Sequence, residues 1–149
     1  MKKVHIWAIA VLALAFGGAI FAAFQFGEKT PVIAAGQIEI SPELNIDARE
    51  LSDLFIVIYD QENPAPMPYG AIRYQLEKPA EGKFFDFVIT KDNLQIMQPD
   101  LPLPKTLRIK ARLDVDGRAG LDQPGDLVGE TSNIETGSRS VSVKIDHKT

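Results

Sequence analysis

The sequence has no cysteine among its 149 residues, and it has only two histidines and one tryptophan. The absence of cysteine excludes a disulfide framework, a thiolate metal site and a cysteine nucleophile. Basic residues are not in excess either, since the formal net charge is −4. That balance argues against a protein that binds nucleic-acid phosphates, because no surplus of cations is available to displace counterions. The length is enough for one domain of ordinary size.

Motifs for catalysis are also missing. The sequence contains no GxSxG, P-loop or GxGxxG pattern. His5 and His147 lie near opposite ends of the chain and have no spacing typical of metal ligands. Ser52 and Ser132 are interpreted as strand-edge and turn residues rather than nucleophiles. We therefore predict no catalytic residue, no metal ligand and no cofactor, and expect a protein that is not an enzyme.

Two further patterns have both a metal-site interpretation and a simpler one. Met67 and Met97 are possible soft ligands for copper or haem, but they are expected to fill gaps beneath loops. Several carboxylates cluster in turn-like segments, but their spacing does not match a calcium-binding loop, so solvated turn residues are expected. These carboxylates are Asp60, Glu62, Asp114, Asp116 and Asp122.

A long apolar run occupies residues 4–26, and it carries no Asp, Glu, Lys or Arg. Its 23 residues make about 34 Å of helix, which exceeds the ~30 Å hydrocarbon core of a bilayer. The run therefore predicts a transmembrane helix, and residues 1–27 a membrane anchor. A cleaved signal peptide is the alternative, because Gly17-Gly18-Ala19 offers small residues, but the sequence after them stays apolar.

Basic residues set the expected orientation of the anchor. Lys2 and Lys3 precede the apolar run and are predicted to stay in the cytoplasm. The rest of the chain then lies in the periplasm of a bacterium with two membranes, and the protein is a single-pass protein of the inner membrane. Because these lysines account for +2, residues 28–149 carry the remaining −6.

The pattern beyond residue 28 predicts β-structure. All ten prolines lie there, and apolar residues alternate with period two rather than 3.6. The apolar faces expected to point inward carry Leu107, Ile109, Ala111, Leu113 and Val115 in one segment, and Val141, Val143 and Ile145 in another. Residues 28–35 are interpreted as a linker, and residues 36–149 as the periplasmic domain. Seven strands are predicted: 37–40, 54–59, 70–76, 83–90, 105–115, a short segment near Val128, and 138–146.

Turn signals separate most of these segments. Asp116-Gly117 is typical of a hairpin turn, and Pro124-Gly125-Asp126 of another tight turn. The run at 54–59 has apolar residues at every position, which is typical of a strand covered on both faces. The fold prediction is all-β: an immunoglobulin-like antiparallel β-sandwich, with an open barrel as the alternative.

Several segments, taken in order, resemble a known family. They are LFIVIYDQENPAPMPYGAIR (54–73), FDFVITKDNLQIM (85–97), LRIKARLDVDGRAGLDQPGDLVGET (107–131) and VSVKID (141–146). This order is similar to the C-terminal periplasmic domain of CcmI-type (also called CcmH or CycH) cytochrome c biogenesis proteins, over nearly all of residues 36–147. The pieces most characteristic of the resemblance are Pro66-Met67-Pro68 and the turn Pro124-Gly125-Asp126-Leu127, followed by Gly129.

The resemblance implies an immunoglobulin-like domain on the outer face of the inner membrane. It also implies a role beside the machinery that attaches haem to apocytochrome c. Members of that family usually carry tetratricopeptide repeats, and no 34-residue helical repeat fits between Phe26 and Gly36. Capture of apocytochrome c by such repeats is therefore not carried over to this chain.

Two surface features are candidates for partner docking. The proline loop Pro66-Met67-Pro68-Tyr69 combines a low ordering cost with apolar contact area. Arg108, Lys110 and Arg112 project from one strand face at period two. The simpler interpretations are a well-packed inter-strand loop and the solvated outer face of a sheet.

The leading functional hypothesis is a membrane-anchored periplasmic assembly factor of c-type cytochrome maturation that acts by protein–protein docking. Its expected partners are inner-membrane haem-ligation components or apocytochrome c, with no nucleic acid. The alternative is a periplasmic module that binds a small ligand or metal and serves a membrane transporter or oxidase. A concave pocket with convergent polar groups favours the alternative.

Overall fold

The computed structural model describes residues 29–63 and 67–149, which consist mainly of β-strands. The prediction of an all-β chain is confirmed for this part. A short helical segment, a 3-10 turn at Pro42–Leu44 continued by α1 (Asn45–Ala48), follows the first strand. The strands are β1 (Val32–Ile40), β2 (Asp53–Asp60), β3 (Gly70–Gln75), β4 (Lys83–Thr90), β5 (Gln95–Ile96), β6 (Thr106–Asp114), β7 (Leu127–Glu135), β8 (Ser138–Ile145) and β9 (His147–Lys148).

These strands form two sheets. The larger has six strands in the order β5-β3-β2-β6-β7-β9, and every neighbouring pair in it is antiparallel. The smaller has the order β4-β1-β8. One pairing departs from the antiparallel prediction, because β1 and β8 are parallel. The reason lies in the chain path: β8 leaves β7 after a two-residue turn and joins the other sheet beside the start of β1, where Gly137 N–H donates to Ile33 O at 2.7 Å.

One hydrophobic core contains side chains from both sheets. The first four of the alternating apolar residues of the segment 105–115 point inward, since Leu107, Ile109, Ala111 and Leu113 of β6 are fully buried. In β2, for which coverage on both faces is predicted, Leu54, Ile56 and Ile58 are fully buried. Phe87 and Ile89 of β4 and Val143 and Ile145 of β8 lie in the same core. Burying one such side chain is worth about 1.5–3 kcal/mol, so this cluster is the main source of stability.

Three of the predicted strands differ from the observed ones in the burial or the extent of their residues, and the two-residue strands β5 and β9 were not predicted. β1 begins at Val32, so residues 32–35 of the expected linker form the first part of a strand, and Ile33 and Ala34 are buried. β7 has nine residues where only a short segment near Val128 was expected. β6 ends at Asp114, and Val115, expected to point inward, is 45% exposed.

Only the start of β7 is predicted from the sequence, because the second half of this strand is polar and irregular. The pairing register with β6 shifts between Leu107 and Ile109, where β7 contains one extra residue. Asn133 has φ 58° at this bulge, and its N–H donates to Gln61 Oε1 at 3.3 Å. An extra residue breaks the period-two alternation from which a strand is recognised.

The predicted membrane anchor, residues 1–27, lies outside the described residues. Within the part of the chain that the structure describes, no helix is long and apolar enough to cross a membrane.

We call the end of the domain at which β1 begins the proximal end. Hydrogen bonds connect the start of β1 to the loops there: Gly137 N–H donates to Ile33 O, and Thr136 N–H donates to Lys105 O at 3.0 Å. The Thr136 hydroxyl also donates to Pro104 O at 2.6 Å. Residues 61–63, 67–69 and 97–105 therefore lie at the proximal end, and α1, which follows β1 and the 3-10 turn, lies at the opposite end.

Candidate functional site

The outer face of the six-stranded sheet carries a groove, which we call the outer groove. Its floor comes from β2, where Phe55, Val57 and Tyr59 alternate with the buried residues of the core face. The groove has a volume of about 260 Å³. Its remaining lining consists of Pro68, Ala71, Met97, Lys110, Arg112 and the segment 119–122.

Exposed apolar side chains border this groove. Leu121 is 87% exposed and Met97 37%, whereas Phe55 in the floor is only 5% exposed. An exposed leucine beside a partly open apolar floor is the pattern expected of a contact surface, although a single exposed apolar residue elsewhere on a protein needs no explanation. The groove therefore offers apolar area that the fold itself does not cover.

Two members of the predicted basic row are partly exposed and paired with acidic residues. Arg108 Nη1 donates to Glu130 Oε2 at 2.9 Å, and its guanidinium carbon lies 4.0 Å from the centre of the Tyr59 ring. Lys110 forms an ion pair with Asp122 at the edge of the groove. These cations are therefore neutralised within the domain, and stacking on Tyr59 fixes the orientation of Arg108.

The third member of the row, Arg112, is only 3% exposed, so it is not available on the surface for docking. Its Nη1 donates to Gly120 O at 2.8 Å and to Asp122 Oδ1 at 3.2 Å, and its Nη2 donates to Arg118 O at 3.2 Å. Its guanidinium carbon lies 5.0 Å from the centre of the Phe55 ring. The expectation of a solvated outer face is therefore wrong at Arg112, because the segment 118–122 folds back over it.

The buried carboxylate of Asp114 holds the start of the loop that leads into the segment 118–122. Asp114 Oδ2 accepts hydrogen bonds from the backbone N–H groups of residues 116, 117 and 118, at 3.1, 2.6 and 3.2 Å. Asp114 Oδ1 and Arg112 Nε form an ion pair at a distance of 3.0 Å. Neither of these two atoms takes part in a hydrogen bond. Burial raises the pKa of Asp114, and the neighbouring carboxyl of Asp116 adds to this, while Arg112 opposes it.

The pKa of Asp122 is shifted in the other direction. Burial acts to raise it, but the hydrogen bonds and positive charges of Lys110 and Arg112 together outweigh burial and lower it. Asp122 therefore stays ionised and bridges two cations that line the groove. Lys110 and Arg112 therefore both have a carboxylate partner within the domain. The apolar side chains of Met97 and Leu121, in contrast, remain exposed.

The predicted proline loop is divided between surface and core. Pro66 lies outside the described residues. Met67 is 58% exposed, Pro68 lines the outer groove, and Tyr69 is only 4% exposed. Tyr69 N–H donates to Ile58 O at 2.8 Å, which makes Tyr69 a packing residue rather than a contact residue.

A second proline-rich segment, residues 97–104, is tied to this loop. Gln98 Nε2 donates to Met67 O and to Pro68 O, both at 3.1 Å. Met97 N–H donates to Tyr69 O at 2.8 Å. We call Met67–Tyr69 and residues 97–104 together the proline loops, because these bonds make them one unit at the proximal end.

The turn that carried much of the family resemblance has a structural role. Gly125 has φ 98°, a conformation that side chains rarely adopt. Asp126 is fully buried, and its carboxylate accepts from Val115 N–H at 2.9 Å and from Gln123 N–H at 2.7 Å. Leu127, also fully buried, lies in the core. A Cβ atom at Gly129 would lie 1.8 Å from Lys144 O, so glycine is required where β7 approaches β8.

Sequence reasoning missed Leu121 and the role of Met97 in this site. Both lie in irregular segments, where no periodicity distinguishes an exposed apolar residue from a buried one. The only signal in the sequence was the all-apolar run at 54–59, which predicted a strand covered on both faces. Phe55 and Tyr59 fulfil that expectation, since Arg112 and Arg108 lie over their rings.

A second concavity lies on the outer side of the three-stranded sheet. It has a volume of about 590 Å³, and its lining combines charged residues such as Glu39, Lys83 and Arg139 with apolar ones such as Phe87 and Val88. It is an open depression rather than a pocket around convergent groups. Across residues 29–63 and 67–149, no group of three or more His, Cys, Asp or Glu side chains is arranged to hold a metal ion.

Comparison of the chain with protein-family models, with curated proteins and with solved structures found no match. The resemblance to CcmI-type domains therefore stays a prediction from the sequence.

Proposed function

We propose that this chain is a membrane-anchored, non-enzymatic docking protein that assists c-type cytochrome maturation at the periplasmic face of the bacterial inner membrane. The process rests on the resemblance of residues 36–147 to CcmI-type domains. The mode of action rests on the outer groove. Its partner is a haem-ligation component of the inner membrane or apocytochrome c.

One observation carries the docking proposal. The exposed side chains at the rim of the groove are apolar, and the charged side chains that line it have partners of opposite charge. Leu121 is 87% exposed at its rim, while Lys110 and Arg112 are both paired with Asp122. A polar ligand needs unmatched donors or acceptors to fix its orientation, and these charges already have partners. An apolar side chain of a partner protein needs only the area that Met97, Leu121 and the half-buried floor residues Val57 and Tyr59 provide.

For the fold, we propose an immunoglobulin-like sandwich. Two sheets contribute to a single core, and β2, β6 and β7 are neighbours in the order typical of the sheet that carries the C, F and G strands of such domains. The parallel pairing of β1 with β8 is a departure from the common pattern.

The anchor would raise the effective concentration of the domain near partners at the membrane surface. A domain joined to a membrane-spanning segment at residues 4–26 searches a thin layer rather than a volume, so weak docking suffices. A modest groove of about 260 Å³ is consistent with weak docking of this kind.

A small apolar ligand is the second candidate, favoured by the concave shape of the outer groove. Its volume of about 260 Å³ falls below the ~300–1,000 Å³ range of ordinary ligand pockets. Native mass spectrometry of the full chain released from a mild detergent tests this candidate directly. A retained small molecule that is lost in Leu121→Asp supports ligand binding over protein docking.

The main experiment is affinity capture of the full anchored chain from membranes, followed by identification of the proteins recovered. We expect haem-ligation components with the unaltered chain and their loss with Leu121→Asp. Val88→Asp is the matched control, since Val88 is 51% exposed on the other sheet. A deletion strain should also contain less covalently bound haem in its c-type cytochromes.

Two results would contradict the proposal. Normal c-type cytochromes in the deletion strain, with no haem-ligation component captured, would remove the assigned process. Capture that is equal for Leu121→Asp and Val88→Asp would remove the outer groove as the docking surface, while leaving the process intact.

A further inference from the structure

We propose that the proline loops rest on the lipid surface, so that the proximal end of the domain makes apolar contact with the interfacial region of the same membrane that holds the anchor. The inference rests on the anchor included in the proposed function. It goes beyond that function by assigning a neighbouring surface, which shares Pro68 and Met97 with the outer groove, to the lipid bilayer as its partner.

The first argument is the exposed apolar area at the proximal end. Met67 is 58% exposed, Leu101 41% and Met97 37%, and all three belong to the proline loops. Pro99 and Pro102 are exposed beside them. These side chains form a concentration of apolar groups at one tip of the domain, where nothing within the described residues covers them.

The second argument is distance along the chain. Five residues separate Phe26, at the end of the apolar run, from Val32, the first residue of β1. Fully extended, the chain from Phe26 to Val32 reaches roughly 20 Å. The proximal end, where β1 begins, is therefore held close to the membrane surface if residues 4–26 span it. Thr136 and Gly137 connect that start to the base of the proline loops by hydrogen bonds.

The third argument is preorganisation. Gln98 bonds to the backbone of both Met67 and Pro68, and Met97 N–H bonds to Tyr69 O, so the two loops hold each other in position. Proline removes conformational freedom from the unbound state. Little ordering cost is then left to oppose contact with the membrane.

Charge decides the kind of lipid contact. Exposed side chains of both signs lie at this end, including Glu62, Asp100 and Lys105. Without a basic patch, attraction to anionic headgroups is not the driving force. Irregular backbone is also excluded from the hydrocarbon itself, so the contact is limited to the boundary of headgroups and acyl chains.

The test uses spin labels on the full chain reconstituted in phosphatidylcholine vesicles. Because the natural sequence has no cysteine, Met67→Cys, Leu101→Cys and Ile46→Cys each give a single labelling site. Ile46 is 78% exposed in α1 at the opposite end and is the matched control. Collision rates with a water-soluble nickel chelate and with oxygen report whether each label lies in water or in lipid.

We expect nickel collisions at positions 67 and 101 to be severalfold lower than at position 46, with oxygen collisions higher. The pattern should be the same in vesicles containing phosphatidylglycerol and at high salt. A label at 101 that is as accessible to nickel as the label at 46 would overturn the inference. Dependence on phosphatidylglycerol would also overturn it, since it would assign the contact to charge.

A second comparison separates this surface from the outer groove. With the label at position 67, Leu101→Asp should raise nickel accessibility, whereas Leu121→Asp should leave it unchanged. A chain that is washed from the vesicles by alkaline carbonate would refute the anchor and this inference together. A chain that is retained, with position 67 in water, would refute only the lipid contact and leave protein docking at Leu121 unaffected.

Discussion

The two faces of strands β2 and β6 contrast within the same stretch of chain. On the inner face, Leu54, Ile56 and Ile58 are fully buried in the core that the two sheets share. On the outer face, Phe55, Val57 and Tyr59 lie beneath arginines and a folded-back segment, with a groove left open between them. The fold alone buries the apolar side chains of the inner face. The outer face keeps apolar area at the half-buried Val57 and Tyr59 that the fold does not fully cover.

The largest expected effect comes from the charge buried under the outer face. Arg112→Met leaves the carboxylates of Asp114 and Asp126 buried without their cation, and we expect a loss of about 3–5 kcal/mol in the free energy of unfolding. Urea unfolding of the full chain in a mild detergent measures it. Arg118→Met, at an exposed position, is the control and should change stability by less than about 0.5 kcal/mol. Equal losses in both variants would contradict the buried network.

The second prediction compares neighbouring residues on the two faces directly. Ile56→Ala leaves a cavity in the core and should cost about 2–5 kcal/mol. Val57→Ala, one residue away on the half-buried outer face, should cost about 1 kcal/mol. The same urea titration serves for both variants. Similar losses at the two positions would mean that the outer face is packed as fully as the core.

The third prediction concerns pH at the edge of the groove. Because the pKa of Asp122 is lowered in the folded state, the folded protein binds that proton more weakly than the unfolded chain does. Its contribution to stability is therefore complete above the ordinary carboxyl pKa of 3.8 and is lost as the pH falls through the lower folded-state value. Asp122→Asn should cost about 1–2 kcal/mol at neutral pH.

The difference between Asp122→Asn and the unaltered chain should shrink as the pH falls below 3.8. Unfolding free energies measured at neutral pH and in acid give that difference. Glu130→Gln, which removes the more exposed partner of Arg108, is the matched control and should show a smaller cost. A difference that is constant with pH would contradict the ion pairs assigned to Asp122.

The smallest effect on stability is expected at the rim. Leu121 is 87% exposed, so Leu121→Asp should change the unfolding free energy by less than about 0.5 kcal/mol. The same variant should lose its membrane partner in affinity capture. A destabilisation as large as that of Ile56→Ala would show that Leu121 serves the fold, and loss of the partner would then have a different cause.

The inner face was predictable because burial produces a regular pattern. Alternation at 107, 109, 111 and 113 identified the core side of β6, and the same held for β8. The last expected member, Val115, departs from the pattern because the strand ends at Asp114, whose carboxylate binds the backbone of the turn that follows. A local bond of that kind has no signature in hydrophobic periodicity.

The outer groove was only partly predictable, because it depends on contacts between distant segments. The pattern placed Lys110 and Arg112 on one face, but it gave no sign that residues 118–122 return to cover Arg112. Met97 reaches the groove only because its backbone bonds to Tyr69, which is far away in sequence. The sequence can identify such residues as candidates one by one. It cannot show that contacts between distant segments bring them together in one site.

We propose that the open apolar area of the outer face docks a haem-ligation component or apocytochrome c. The most direct measurement is photo-crosslinking in living cells, with a photoreactive amino acid placed at Leu121 or, as control, at Val88. We expect crosslinks from position 121 to an inner-membrane haem-ligation component or to apocytochrome c, and none of these from position 88. Crosslinks at 121 that match those at 88, or that contain only unrelated proteins, would contradict the account.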